Sequence, residues 1–219
     1  MKKIIIIALF ILIVCSVNLF AGGSEFGFKG GGGIGWVTGD DWQDFLTLTS
    51  GDNRVKFNYS VGAFLDLSVA NWLSIQPEVL LTYLVGGYRY DYYYYDYYFY
   101  YSGEVKGTLD VYSLEIPIYV KPKINVGSGM LYFIAGPDIF FLLGDVTEEV
   151  KLDGVSMGEL KVEPDNSFLF GIAGGLGVKI RNTSIEIKYS KTMTEIFENV
   201  DWSFNGFVLY IGYSFPIEK

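Results

Sequence analysis

From about residue 25 to the C-terminus the chain alternates apolar and polar side chains with a period of two, in eight separate runs. Phe26, Phe28, Ile34 and Trp36 alternate with Glu25, Lys29 and glycines. Val55 to Leu67 sets Phe57, Tyr59, Val61, Ala63 and Leu65 against Lys56, Asn58, Ser60, Gly62 and Asp66. Leu73 to Val85 sets Ile75, Val79, Leu81 and Tyr83 against Ser74, Gln76, Glu78 and Thr82. "YSLEIPIYVKPKI" sets Tyr112, Leu114, Ile116, Ile118 and Val120 against Ser113, Glu115, Tyr119, Lys121 and Lys123. "LYFIAGPDIFFLL", "FLFGIAGGLGVK", "SIEIKYS" and "FVLYIGYSF" continue the pattern, the second lined by Gly171, Ala173, Gly175, Gly177 and Lys179. Most runs approach the roughly 9–11 residues with which a tilted strand crosses a bilayer.

The connections order these strands. Three are short, around "SVAN", "NVGSG" and "RNT", and four are long, residues 37–54, 86–110, 144–166 and 191–203. Short and long alternate strictly, so all the short ones fall at one end, as in outer-membrane barrels with brief periplasmic turns and longer external loops. The expected fold is therefore all-β: an eight-stranded antiparallel up-and-down transmembrane β-barrel. Closure is required because an open sheet edge in lipid would strand its backbone donors and acceptors. Trp36, Tyr59, Trp72, Tyr83, Tyr112 and Tyr189 fall near strand ends, where aromatic girdles belong. A soluble lipocalin-like barrel with an apolar cup is the competing arrangement, but the inward set here is charged and rich in glycine.

Ahead of the barrel runs "MKKIIIIALFILIVCSVNLFAGG": two lysines, a short apolar stretch, then small residues. This is the layout of a secretory signal peptide, residues 1–21, cleaved after Ala21, leaving 22–219 as the barrel domain. Cys15 is the one cysteine and leaves with the leader, so stability must come from sources other than disulfides. The net charge of −9 falls to −11 without Lys2 and Lys3, which argues against nucleic acid as a partner. The expected location is the outer membrane of a Gram-negative-type envelope.

"LSIQPEVLLTY", "YSLEIPIYVKPK", "YFIAGPDIFFLL" and "FGIAGGLGVKI" resemble, in order, strands of the PorT-like small outer-membrane β-barrel family. The resemblance spans essentially all of residues 22–219. It implies an eight-stranded outer-membrane barrel, mostly without assigned chemistry.

The pleat sorts the charges. Glu25, Asp66, Glu78, Glu115, Asp138 and Glu186 face the lumen together with Lys29, Lys56, Lys121, Lys123, Lys179 and Lys188, a balanced set. In an interior that side chains can fill, matched charges read as a plug of cross-lumen ion pairs. A selective pore would more often show a surplus of one sign. A narrow pore for small solutes is the alternative function.

The long connections carry the negative charge. "TGDDWQDF" and "GDVTEEVKLDGVSMGELKVEPDN" could capture Ca²⁺ or Mg²⁺, but without EF-hand spacing a solvated acidic surface is the better reading, and no metal or cofactor is expected. With no histidine in the chain, Ser-His-acid catalysis and His-ligated zinc are excluded. "GGGGIG" satisfies a dinucleotide-binding pattern but has no helix after it. The expectation is not an enzyme.

In "YRYDYYYYDYYFYY" the tyrosines Tyr88, Tyr90, Tyr92, Tyr93, Tyr94, Tyr95, Tyr97, Tyr98, Tyr100 and Tyr101 fall on the long-loop side, outside the cell. They are candidates for binding an extracellular glycan or protein by ring stacking and hydroxyl hydrogen bonds, or for covering the barrel mouth and stiffening a β-ribbon. Outer-membrane lipid and lipopolysaccharide complete the expected partners. The first checkable consequence concerns the leader: N-terminal sequencing of the exported chain should begin at Gly22, and a chain still starting at Met1 would contradict a cleaved signal.

Overall fold

A computed structural model describes residues 23–96, 99–198 and 200–217; the expected signal peptide, Tyr97 and Tyr98 lie outside the described residues. Within them the chain forms β1 (Glu25–Thr38), α1 (Asp40–Thr49), β2 (Asp52–Arg54), β3 (Lys56–Ala70), β4 (Leu73–Asp96), β5 (Phe99–Glu115), β6 (Ile118–Val126), β7 (Gly129–Leu142), β8 (Val146–Leu152), β9 (Val155–Val162), β10 (Phe168–Ile180), β11 (Thr183–Thr192) and β12 (Ser203–Pro216). All pairings among these strands are antiparallel.

Eight staves close a ring. Around it run β1, β3, β4, the joined β5 and β6, β7, β10, β11 and β12, and β12 returns to β1 from Glu25↔Pro216 to Thr38↔Ser203 without a shift in register. β5 and β6 are one stave: the pairing with β4 runs straight through Leu80↔Glu115 to Pro77↔Ile118. The break falls at Ile116 and Pro117, because a proline has no N–H for the ladder. The neighbours adapt: Glu78 N donates to Pro117 O at 3.0 Å and Ile116 N to Ile139 O at 2.7 Å.

Period-two alternation then divides the wall. Phe28, Val61, Ile118, Val120, Phe133, Ile172, Leu176, Ile187, Leu209 and Ile211 stand exposed on the outside, a belt far larger than the apolar patches of water-soluble monomers. Aromatic clusters bound it at one end, with Tyr59 stacked on Tyr83 at 5.2 Å, Tyr83 against Tyr112 at 5.1 Å and Trp36 against Phe207 at 5.9 Å. Trp72, Tyr213 and Phe215 lie toward the other end, where the short turns after β3, β6 and β10 also fall.

Three of the four long connections are more ordered than the sequence suggests. The expected loop 86–110 is a β-ribbon, since β4 and β5 stay paired from Tyr83↔Tyr112 out to Asp96↔Phe99. The loop 144–166 is a second hairpin, β8–β9, whose β8 adds to the flank of β5. Residues 37–54 contain α1, in which Trp42, Phe45 and Leu46 share one face and Asp40 and Asp41 occupy the first turn, where the helix dipole favours acids.

Glycines on the inner face of β1 permit close approach of the wall and its filling. A Cβ at Gly33 would lie 1.8 Å from the Phe207 carbonyl oxygen, whereas one at the outward Gly30 meets nothing nearer than Val61 at 3.7 Å. Gly33→Val should therefore cost about 2–3 kcal/mol or prevent folding, and Gly30→Ala should be nearly neutral. The mobility difference between heated and unheated samples on a denaturing gel checks this, and equal behaviour of the two variants would contradict the packing described.

Candidate functional site

Inside the ring the polar side chains join into a column. At the short-turn end Lys179 pairs with Glu25, which also accepts from Ser214 Oγ at 2.7 Å. Above them Lys121 Nζ donates to Asp66 at 2.7 Å and to Gln76 Oε1 at 2.6 Å, and Lys123 lies 3.8 Å from Asp66. Gln76 Nε2 passes the chain to Glu78 at 2.5 Å. Lys29 Nζ then bridges Glu78 at 2.7 Å and Glu186 at 2.8 Å, linking β1, β4 and β11 across the lumen. The Tyr210 ring separates Lys29, 4.3 Å from its centroid, from Lys188 at 5.4 Å. Lys188 pairs with Glu115, which also accepts from Thr82 Oγ1 at 2.5 Å, and lies 3.9 Å from Asp138.

Burial makes these contacts consequential. Lys29, Glu78, Glu115, Asp138, Glu186 and Lys188 are each no more than 5% exposed. An isolated charge at such a site would carry a desolvation penalty of several kcal/mol. Three proline-bearing stretches of the staves supply much of the column: "QPE" gives Gln76 and Glu78, "LEIP" gives Glu115, and "AGPD" gives Asp138.

Eleven of the twelve expected lumen residues take part in this column; Lys56 does not. The strand shared by β2 and β3 changes register against β4, from Arg54↔Gly87 to Tyr59↔Tyr83, and the intervening bulge turns Lys56 outward. Its side chain lies over Gly87, and among the described residues it forms no ion pair. The column therefore holds six acids and five lysines. Asp138 is its least served carboxylate, with neither oxygen accepting a hydrogen bond.

Above Lys188 is a cavity of about 10 Å³, lined in part by Asn58, Thr82, Glu115, Asn205 and Tyr210, which is room for one water. Beyond it the mouth is closed by an apolar cluster. Leu84, Val111, Phe140, Leu142, Leu169, Phe204 and Ile196 pack beneath Trp42 and Leu46 of α1, with Tyr88, Val105, Leu109 and Val146 from the ribbons. Trp42 is fully buried, 5.1 Å from Trp202 and 5.9 Å from Tyr88. Sequence reading missed this cluster, although Trp42, Phe45 and Leu46 at helical spacing were its signal.

The tyrosine tract divides by face. Tyr88 is buried, donating to Glu148 at 2.7 Å, and burial together with that acceptor pushes its hydroxyl pKa up. Tyr90 and Tyr92 pack against the same mouth cluster. Burial of Tyr88 corrects the expectation that it is displayed, while Tyr90 and Tyr92 are half-buried beside it. Tyr93 and Tyr94 are 61% exposed and Tyr100 58%, with Tyr93 and Tyr100 stacked at 6.4 Å. Tyr97 and Tyr98, with the side chains of Tyr95 and Tyr101, lie outside what is described.

A closed antiparallel ring with an apolar belt, an aromatic girdle and a polar filling defines the class, a small outer-membrane β-barrel. No protein-family model matches the chain, and no curated protein does. Among solved structures it is similar to the attachment invasion locus protein Ail of Yersinia pestis, in complex with the heparin analogue sucrose octasulfate, at 14% identity and a TM-score of 0.44, covering 88% of this chain and 99% of that one. It is also similar to Neisserial surface protein A, at 12% identity and a TM-score of 0.42 over 88% and 99%. The outer membrane protein OprG of Pseudomonas aeruginosa stands at 10% and 0.42 over 90% and 99%. Likenesses this distant carry no argument about activity.

Lys188 gives the sharpest test of the column. Lys188→Met leaves Glu115 and Asp138 buried without a cation and should destabilise the barrel by about 3–5 kcal/mol. Adding Glu115→Gln and Asp138→Asn should recover most of the loss. Urea titration of the three proteins in lipid vesicles checks this; a single variant as stable as the parent would contradict the pairing.

Proposed function

We propose that this chain is a non-enzymatic integral outer-membrane protein, closed to solutes, whose binding surface is the exposed end of the β4–β5 ribbon. The observation that supports the reading is the set of buried side chains inside the ring, ion pairs below and an apolar cluster above. A barrel of eight strands has just enough interior for side chains to fill, and here both kinds of filling occupy the path a solute would take. A narrow pore is less supported, because it would need a continuous water-lined route with a bias of charge.

The ribbon is what remains to act on the surroundings. Tyr93, Tyr94 and Tyr100 present large, amphipathic faces on a paired scaffold, so little conformational entropy opposes binding. Glycan or peptide is the class of ligand such rings take, by stacking and by hydroxyl hydrogen bonds. The acidic connections around them act as a solvated, repulsive surface.

Replacing residues 93–102 by an Asn-Gly turn, which keeps Tyr88, Tyr90 and Tyr92, tests this. Insertion should be unchanged while binding of expressing cells to glycan and peptide arrays falls to background. Array binding that survives the replacement would overturn the ribbon's role.

A further inference from the structure

Beyond the girdle the wall of this barrel does not close, and its two edges are finished differently. β8 follows β7 and β9 leads into β10, so their hairpin carries that side of the wall outward, joined through β8 to β5. β11 stops at Thr192 and β12 begins only at Ser203, so among the described residues no strand takes up the far side of β9. The opposite edge of the same sheet is β2, paired to β4. Water can satisfy an open edge here, as lipid could not.

Sheet edges are normally blunted by shortness, by charge or by cover. β2 is blunted: it has three residues, Asp52, Asn53 and Arg54, and Asn53 Nδ2 donates to Val37 O at 2.7 Å. β9 is not. It runs eight residues, Val155–Val162, and all of them are exposed, among them Val155, Met157, Leu160 and Val162. A bulge at Met157 displaces its upper part and leaves 159–162 in regular register with 146–149 of β8.

The pleat defines what an added strand would need. Leu160 and Val162 lie across from Glu148 and Val146, on the face that adjoins the apolar mouth cluster. On the other face Glu159 stands directly across from Glu149, a like-charge pair that is destabilising. Lys151 answers Glu149 at 3.1 Å, whereas Glu159 has no ion pair among the described residues. A strand laid along β9 would set apolar side chains beside Leu160 and Val162 and a base beside Glu159.

A second copy of the chain does not fit. β9 descends from the turn at Asp153 and Gly154 toward the girdle in every copy, so antiparallel pairing of two such edges needs one barrel inverted. A two-fold axis along the membrane normal would cross two strands, each tilted near 40°, at roughly 80° instead of aligning them. Apposed membranes fail as well. Glu159 is level, through Glu149 and Thr108, with Gly87, which lies four residues from Tyr83 of the girdle and nine from Asp96 at the ribbon end. Each ribbon would be driven past the other barrel's girdle.

We propose that β9 is a docking edge that takes an extended segment of another protein as an added antiparallel strand, with Glu159 selecting a lysine or arginine on it. Main-chain hydrogen bonds hold the segment, and Leu160, Val162 and Glu159 read its alternate side chains. This edge is a second surface, separate from the tyrosine-bearing ribbon tip.

The test uses the refolded chain without its leader in lipid nanodiscs and two capped peptide probes. One alternates threonine and valine with a lysine in place of one threonine; its twin carries glutamate there. Hydrogen exchange over Val155–Val162 should slow when the lysine probe binds, and that probe should bind roughly fivefold tighter than its twin. Glu159→Lys should reverse the preference, while replacing residues 93–102 by an Asn-Gly turn should leave it unchanged. Heat-modifiability on a denaturing gel confirms that each variant is folded. Binding without protection of β9, no binding of either probe, or a preference unmoved by Glu159→Lys would each overturn the proposal. Loss of binding on replacing 93–102 would overturn it by assigning the probes to the ribbon tip. Protection of β9 that rises with protein concentration in the absence of probe would overturn it in favour of a second copy.

Discussion

Backbone hydrogen bonding in lipid is the constraint on which the rest of this structure depends. A strand that crosses hydrocarbon must find every partner for its N–H and C=O groups in neighbouring strands, so the sheet has to close. Closure by the β1–β12 pairing then fixes the two faces of every stave. The outer face meets acyl chains and carries the valines, leucines and phenylalanines of the belt. The inner face surrounds a space too narrow for bulk water and too large to leave empty. What fills it follows from that geometry.

The filling comes in two materials. Along the membrane-spanning height it is ionic, with Lys29 and Lys188 each reaching carboxylates across the lumen and Tyr210 packed between them. Such pairs need not add stability over an apolar core. Their directionality sets which residues meet, and a one-residue slip of any stave would turn its charges into lipid. At the mouth the staves outgrow the membrane, water is available outside, and an apolar cluster under α1 becomes the better closure. Its tyrosines illustrate the division: Tyr88 points into that cluster, while Tyr93 and Tyr94 project beyond it.

Much of this was legible in the sequence, and the illegible parts have physical reasons. Period-two alternation with one apolar face has a single register that buries nothing wrongly, so the staves, the short turns and eleven of the lumen charges could be placed. Lys56 could not, because its position depends on a bulge between β2 and β3 that leaves no residue signature. The long connections were legible only in part. In 86–110 both faces of the ribbon carry rings, so alternation vanishes although pairing continues to Asp96↔Phe99. The helix α1 is short, and its Trp42, Phe45 and Leu46 sit in a stretch whose aspartates suggest a solvated loop. Tertiary packing, rather than local pattern, decides such segments.

The central claim is that the lumen is filled along its height. Planar-bilayer conductance of the folded chain without its leader tests it most directly. A folded protein should give no reproducible unitary steps at moderate salt and voltage, because the Lys29 and Lys188 ion pairs and the Tyr210 ring stand across the lumen below the apolar mouth cluster. Steady, uniform channels from the same folded sample would contradict the account and make transport the leading function.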